Sequence, residues 1–191
     1  MKKVILIIVI LILAGLAVWL FYKPKSAAII SIQNNQQQVT TSTSMQITSA
    51  AFLVGQNIPV KYSCDGQGVN PPLEFSNVPA QAASLALIVH DPDAPNGNWV
   101  HWLMWNILPS VNNIPENSVP QGATQGQASS GQNIYSGPCP PNGIHRYIFT
   151  LYALDQKLTI PSYSTDADLI KAMNGHILAQ AELLGMYARG K

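Results

Sequence analysis

Two proline-bounded segments carry the residue types that could do chemistry. One runs His90-Asp91-Pro92-Asp93-Ala94-Pro95-Asn96-Gly97-Asn98-Trp99-Val100-His101-Trp102. The other runs Gly137-Pro138-Cys139-Pro140-Pro141-Asn142-Gly143-Ile144-His145-Arg146-Tyr147. In each, prolines and glycines set a rigid turn beside a strand that carries a histidine, so polar groups can be held at a cavity mouth with little entropy lost on binding. Asp91 and Asp93 can accept an imidazole N–H and so orient His101 or His145. The outer imidazole nitrogen, the Tyr147 hydroxyl and turn N–H groups are then free to donate to an anion. Two histidines and two aspartates could instead form a four-ligand metal set, but no His-x-His or Cys-x-x-Cys spacing accompanies them, and no metal is expected.

The elements that must position these groups read as mainly β. Fourteen prolines and thirteen glycines imply many turns and short strands. Residues 45–49 and 58–62 are candidate early strands, followed by turns and a short strand over 73–75. Residues 84–90 form a buried strand with Leu85, Leu87 and Val89 on one face and Ala86, Ile88 and His90 on the other. Residues 99–108 are predicted to put Trp99, His101, Leu103, Trp105 and Ile107 on one face, and residues 145–154 to put His145, Tyr147, Phe149 and Leu151 on one face. The Gly/Gln/Ser/Asn-rich stretch 110–133 reads as irregular. Apolar spacing at Leu169, Met173, Ile177 and Leu184 predicts a helix over 166–186, capped by Thr165 or Asp166 and ended by Gly185.

Upstream of this body, residues 4–22 are uninterrupted and apolar after two lysines, and end in Trp19, Phe21 and Tyr22. At about 1.5 Å per residue the run spans roughly 28 Å, enough for a hydrocarbon core of ~30 Å. The expectation is an N-terminal membrane anchor over 1–25 and a domain facing outside the cytoplasm; a signal segment cut near Ser26-Ala27-Ala28 is the alternative. Residues 26–44 read as a flexible polar linker and 45–191 as the domain. Only 10% of residues are charged, the net charge is +1, and the basic residues do not cluster, which argues against a nucleic-acid partner. Cys64 and Cys139 permit one disulfide or two free thiols.

Taken together the motifs resemble the phosphatidylethanolamine-binding protein family, in its bacterial and archaeal Raf-kinase-inhibitor-like (YbhB/YbcL-type) branch. The matching pieces are Tyr62-Ser63-Cys64-Asp65-Gly66 with Asn70-Pro71-Pro72-Leu73; Val89-His90-Asp91-Pro92-Asp93-Ala94-Pro95; Trp99-Val100-His101-Trp102; and Gly137-Pro138-Cys139-Pro140-Pro141 through His145-Arg146-Tyr147 to Asp155. The resemblance implies a large central β-sheet with a smaller packed sheet and a few peripheral helices, here preceded by one transmembrane helix. It also implies a small pocket for phosphate or a phospholipid headgroup. Asp91, His101, His145 and Tyr147 would line it, and Asp93 and Pro95 would shape its wall. The chain departs from animal members in carrying one histidine, not two, after Trp99.

Cys64 and Cys139 lie in turns that would border this pocket, so a disulfide between them is expected. The expected role is therefore a small-anion binder without cofactor or catalysis, acting on its own ligand or modulating a protein partner. The alternatives are an envelope protease or kinase inhibitor working by protein contact, and a Cys139–His145 hydrolase, which needs a free thiol.

Overall fold

Alternating apolar residues in long strands build two antiparallel sheets, seen in a computed structural model that describes residues 44–190. The chain order is β1 (Gln46–Thr48), a 3-10 turn (Val60–Tyr62), β2 (Leu73–Ser76), β3 (Ser84–Asp91), β4 (Trp99–Ile107), β5 (Asn113–Ile114), β6 (Thr124–Gln125), β7 (His145–Leu154), α1 (Asp166–Met173) and β8 (Ile177–Tyr187). The smaller sheet has the order β1-β2-β5 and the larger β6-β4-β3-β7-β8.

Both faces of the larger sheet are buried at its centre, along β3 and most of β4. Leu85, Leu87 and Val89 of β3 join Trp102, Met104, Tyr147, Phe149 and Leu151 in the main core, under Ile47, Leu73 and Phe75 of the smaller sheet. Ala86 and Ile88 face the other way, with Leu103 and Trp105, and are covered by Leu158 and by Leu169 and Met173 of α1. A strand covered on both sides reads as a continuous apolar run, which is why β3 is so hydrophobic. Each fully buried Leu, Val or Phe contributes about 1.5–3 kcal/mol by leaving water.

Three sequence expectations are corrected. Residues 58–62 are not a strand: Pro59 lacks an N–H for a ladder and leads instead into the 3-10 turn. The helix predicted over 166–186 stops at Met173. Its start is the expected one, with the Thr165 N–H and hydroxyl both 3.0 Å from the Asp168 carboxylate. At its end Gly175 adopts φ +82° and turns the chain back, so that Ile177–Tyr187 pairs along all of β7. Ten residues of ladder outweigh a helical spacing built largely from Ala, Leu and Glu. Gly185, expected as a helix end, lies inside β8; a Cβ there would come within 2.6 Å of Ile58, so its smallness lets the preceding loop lie on the strand.

The third correction concerns the membrane. The described fold has two sheets and one α-helix, and no helix among the described residues is long and apolar enough to cross a membrane. The span expected at residues 4–22, and the linker after it, lie outside the described residues.

The stretch 110–133 is mostly irregular, but its second half seals a sheet edge. β6 pairs with β4, and Gly126 and Ser129 donate to the carbonyls of Leu103 and Val100. Covering the edge of β4 removes a row of groups open to pairing with another chain.

Candidate functional site

The site forms where β3, β4 and β7 end together at one margin of the larger sheet. Asp91 is the last residue of β3 and continues the Leu85, Leu87, Val89 face. Strand β4 does not keep the single face its alternation predicts. Val89 pairs with Trp102 but His90 pairs with Val100, so His101 is an extra residue, and a second irregularity falls near Asn106, which has φ +59°. A bulge of this kind redirects the side chains around it. Here Val100, Leu103 and Trp105 face α1 while Trp102, Met104 and Ile107 face the main core. His101 is swung to the side of Tyr147, and their rings meet edge to face at 5.1 Å.

The ends of the strands enclose a cavity of about 440 Å³ whose wall is mostly apolar. Asp91, His101 and His145 line its polar part, and Ala94, Pro95, Trp99, Pro140 and Pro141 its apolar part. Asp91, His101 and His145 are only 3%, 5% and 6% exposed. His145 Nδ1–H donates to Asp91 Oδ2 at 2.7 Å, and the other carboxylate oxygen accepts the Asp93 N–H at 2.8 Å. One buried carboxylate thus fixes both the imidazole and the turn beside it. His101 Nδ1–H donates to the Ser136 carbonyl at 2.7 Å, and the Ser136 N–H donates back to the His101 carbonyl. Both rings therefore have Nδ1 engaged and leave Nε2 as the nitrogen available to a ligand.

Burial holds the His101 imidazole below its ordinary pKa, so the ring is neutral at pH 7 and its Nε2 is an acceptor. Burial and the Asp91 carboxylate push the Tyr147 hydroxyl well above the usual tyrosine range. That hydroxyl is buried and has no hydrogen-bond partner; its polar neighbours are the Asp91 carboxylate and the Cys139 backbone. A buried donor without a protein partner is uncommon, and this one lies against the Asp91 carboxylate, behind the cavity wall.

The residues predicted for the site separate into three groups. Asp91, His101, His145 and Pro95 line the cavity. Tyr147 sits behind His101, almost fully buried. Asp93 turns away: the Arg146 Nε and Nη2 donate to its two oxygens at 2.9 and 2.7 Å, and this ion pair holds the Asp93 carboxyl at a pKa of about 2. It shapes the wall by tying the 91–95 turn to the start of β7 and does not face a ligand. His90 lies on the opposite face, and His176 pairs with Asp155 on the surface at 2.9 Å. Sequence reasoning missed Ser136, whose role is played by main-chain atoms and so leaves no trace in residue type.

Cys64 and Cys139 form the expected disulfide and both border the cavity. With its sulfur bonded to Cys64, Cys139 offers no thiol in the oxidised protein, whereas the alternative of a Cys139–His145 hydrolase needs a free one. Among the described residues, no three His, Cys, Asp or Glu side chains are grouped to hold a metal ion. Gly137 lies against the 3-10 turn, where a Cβ would meet the Tyr62 carbonyl oxygen at 2.7 Å and the Ser63 backbone at 2.8 Å. Gly137→Ala is expected to destabilise the domain by about 1–3 kcal/mol through this overpacking, read as a lower urea midpoint; an unchanged midpoint would show that the loop gives way freely.

The phosphatidylethanolamine-binding protein profile matches residues 48–188. A UPF0098 protein of Methanothermobacter thermautotrophicus is 45% identical over 151 residues, 76% of this chain and all of the relative. A UPF0098 protein of Chlamydia muridarum is 49% identical over 148 residues, 75% of this chain and 98% of the relative. Among solved structures, the phosphatidylethanolamine-binding protein homologue CT736 of Chlamydia trachomatis superposes with a TM-score of 0.75 at 47% identity, covering 77% of this chain and 99% of CT736. YbcL of E. coli superposes at 0.73 with 31% identity, covering 77% of this chain and 99% of YbcL.

Proposed function

This chain belongs to the phosphatidylethanolamine-binding protein family, in its YbcL/YbhB-type branch, and from that premise we propose that it binds a small phosphate-bearing ligand in the Asp91–His101–His145 cavity. The observation that carries the reading is the pair of buried imidazoles, each anchored through Nδ1, beside the partnerless Tyr147 hydroxyl. The cavity is far roomier than a bare tetrahedral anion requires, and Trp99, Pro95, Pro140 and Pro141 give it an apolar side. A phosphate with an organic substituent, such as a lipid headgroup, suits both parts. The site is read as binding and not catalytic: each histidine is oriented, but neither stands beside an activated hydroxyl or thiol. The disulfide supports a compartment outside the cytoplasm, where cystines persist.

A neutral His101 imidazole, its Nδ1–H already given to the Ser136 carbonyl, cannot donate from Nε2, so an anion there is accepted together with a proton. Burial disfavours the His101 imidazolium, and the anion's charge restores it; binding therefore takes up protons and tightens as pH falls. Sulfate is the probe for this, because its charge is constant where phosphate titrates. Its affinity is expected to rise by up to about tenfold per pH unit for each proton taken up between pH 8 and 6. His101→Ala and His145→Ala are each expected to weaken phosphate by about tenfold or more in titration calorimetry. A flat pH profile together with wild-type affinity in both variants would remove the histidines from the site. Comparing phosphate with phosphoethanolamine distinguishes a free anion from a headgroup.

A further inference from the structure

The disulfide joins two turns at the cavity wall. Both cysteines are exposed, and both form part of the cavity wall. The two segments it joins are held very differently. On the Cys64 side, Ser63 donates to the Val60 carbonyl at 2.8 Å, the Tyr187 hydroxyl donates to Asp65 at 2.8 Å, and the Arg189 Nε donates to Asp65 at 3.0 Å. That loop is pinned without the cystine. On the other side, residue 136 is locked to His101, and the Pro138 carbonyl accepts the Cys64 N–H at 3.0 Å. From there to His145 the polar anchoring stops: among the described residues no hydrogen bond of good geometry joins residues 139–144 to the rest of the domain, and of these six only Pro140 is buried. The cystine is the covalent tie that holds this segment, beside the packing of Pro140. The segment supplies Pro140 and Pro141 to the cavity and leads directly into His145.

We propose that the Cys64–Cys139 bond is a thiol-exchange site, through which a dithiol sets the ligand affinity of the cavity. The inference rests on the anion-binding reading above. A thiolate of the dithiol attacks one cystine sulfur, and the S–S bond breaks as a mixed disulfide forms. The other cysteine leaves as a thiolate and is protonated. The second thiol of the dithiol then attacks the mixed disulfide, releasing the remaining cysteine and leaving the dithiol as its own disulfide. Two electrons and two protons pass from the dithiol to the cystine. Freed at Cys139, residues 139–144 lose their fixed path, the Pro140–Pro141 wall withdraws, and His145 is no longer presented from a rigid approach. Exposed cystines are the ones open to such exchange, whereas buried ones resist it.

The test uses the folded protein with excess dithiothreitol as the probe. Alkylation and mass measurement count the thiols, near-ultraviolet circular dichroism confirms that the fold persists, and calorimetry reads phosphate affinity. The expected result is reduction of both cysteines without unfolding and a phosphate dissociation constant raised by about tenfold. The Cys64→Ser/Cys139→Ser double variant should bind like the reduced protein and ignore dithiothreitol. A cystine that resists reduction until the protein is denatured would overturn the proposal, as would reduction that leaves phosphate affinity and the imidazole resonances of His145 unchanged. If the oxidised protein fails to bind phosphate at all, the anion reading falls. The His145 resonances then decide alone: a shift on reduction upholds control of the site by exchange, and no shift rejects it.

Discussion

Asp91→Ala is expected to weaken phosphate binding by at least about tenfold and to lower the unfolding free energy by about 3 kcal/mol. No other side chain in the cavity has as many roles. Asp91 is 3% exposed, and its carboxylate accepts His145 Nδ1–H through one oxygen and closes the Asp91–Asp93 turn through the other. Alanine leaves a buried imidazole N–H and a part-buried turn N–H without acceptors; the buried orphan carries a desolvation penalty of about 1–3 kcal/mol and the part-buried one less. It also frees the His145 ring to rotate, so Nε2 is no longer presented to a ligand. Asp91→Asn separates the two effects. Its single carbonyl oxygen can accept one of the two bonds, so the stability loss should fall to about half, while the loss of the stronger carboxylate acceptor leaves the His145 ring less firmly oriented and keeps binding weak. Urea unfolding and calorimetry near pH 6 read both quantities. Phosphate affinity within twofold of wild type in Asp91→Ala would show that the carboxylate serves the fold alone.

The second large effect lies in the unfolded chain. The cystine closes a loop with a sequence separation of 75 residues. The chain-entropy relation assigns such a loop about 4 kcal/mol of stabilisation. Cys64→Ser/Cys139→Ser is therefore expected to lower the unfolding free energy by about that amount, with cooperative unfolding retained. The contribution arises because the uncross-linked unfolded chain explores more conformations, and it does not require the native cavity to change. Stability and ligand affinity thus report on two different consequences of one bond. A loss below about 1 kcal/mol would mean that the unfolded chain is already constrained near these residues.

Much of the site was legible because its chemistry is local in sequence. The Asp-Pro-Asp-Ala-Pro turn, the Trp99-Val100-His101 strand start and the His145-Arg146-Tyr147 strand start each announce a polar group at the edge of an apolar strand, and the cavity is where they meet. What was not legible is what depends on pairing. Single-strand alternation assigned Trp99, His101, Leu103, Trp105 and Ile107 to one face, but an extra residue in a ladder shows only once its partner is known. Likewise, residues 177–186 carry a helical spacing when read alone. Their period-two signal, Leu183, Gly185 and Tyr187, is short and includes a glycine whose burial comes from Phe52 and Ile58 packing over it. Asp93 shows the same limit at the level of one side chain. Its type and position suited the cavity, and only the register of Arg146 across the turn sent it outward.

The strand order has a consequence for how the molecule comes into being. In the larger sheet, β3 lies between β4, which follows it directly, and β7, which arrives after the whole middle of the chain has been laid down. The β3–β4 hairpin can assemble early and locally, whereas docking β7 must close a long loop before any contact repays that entropy. Cys139 lies just ahead of β7, so its approach to Cys64 waits on the same late step. The native cystine is therefore a record of completed assembly: a nascent chain oxidised before β7 docks has no geometric reason to join these two sulfurs, and one oxidised afterwards has its partner already in place.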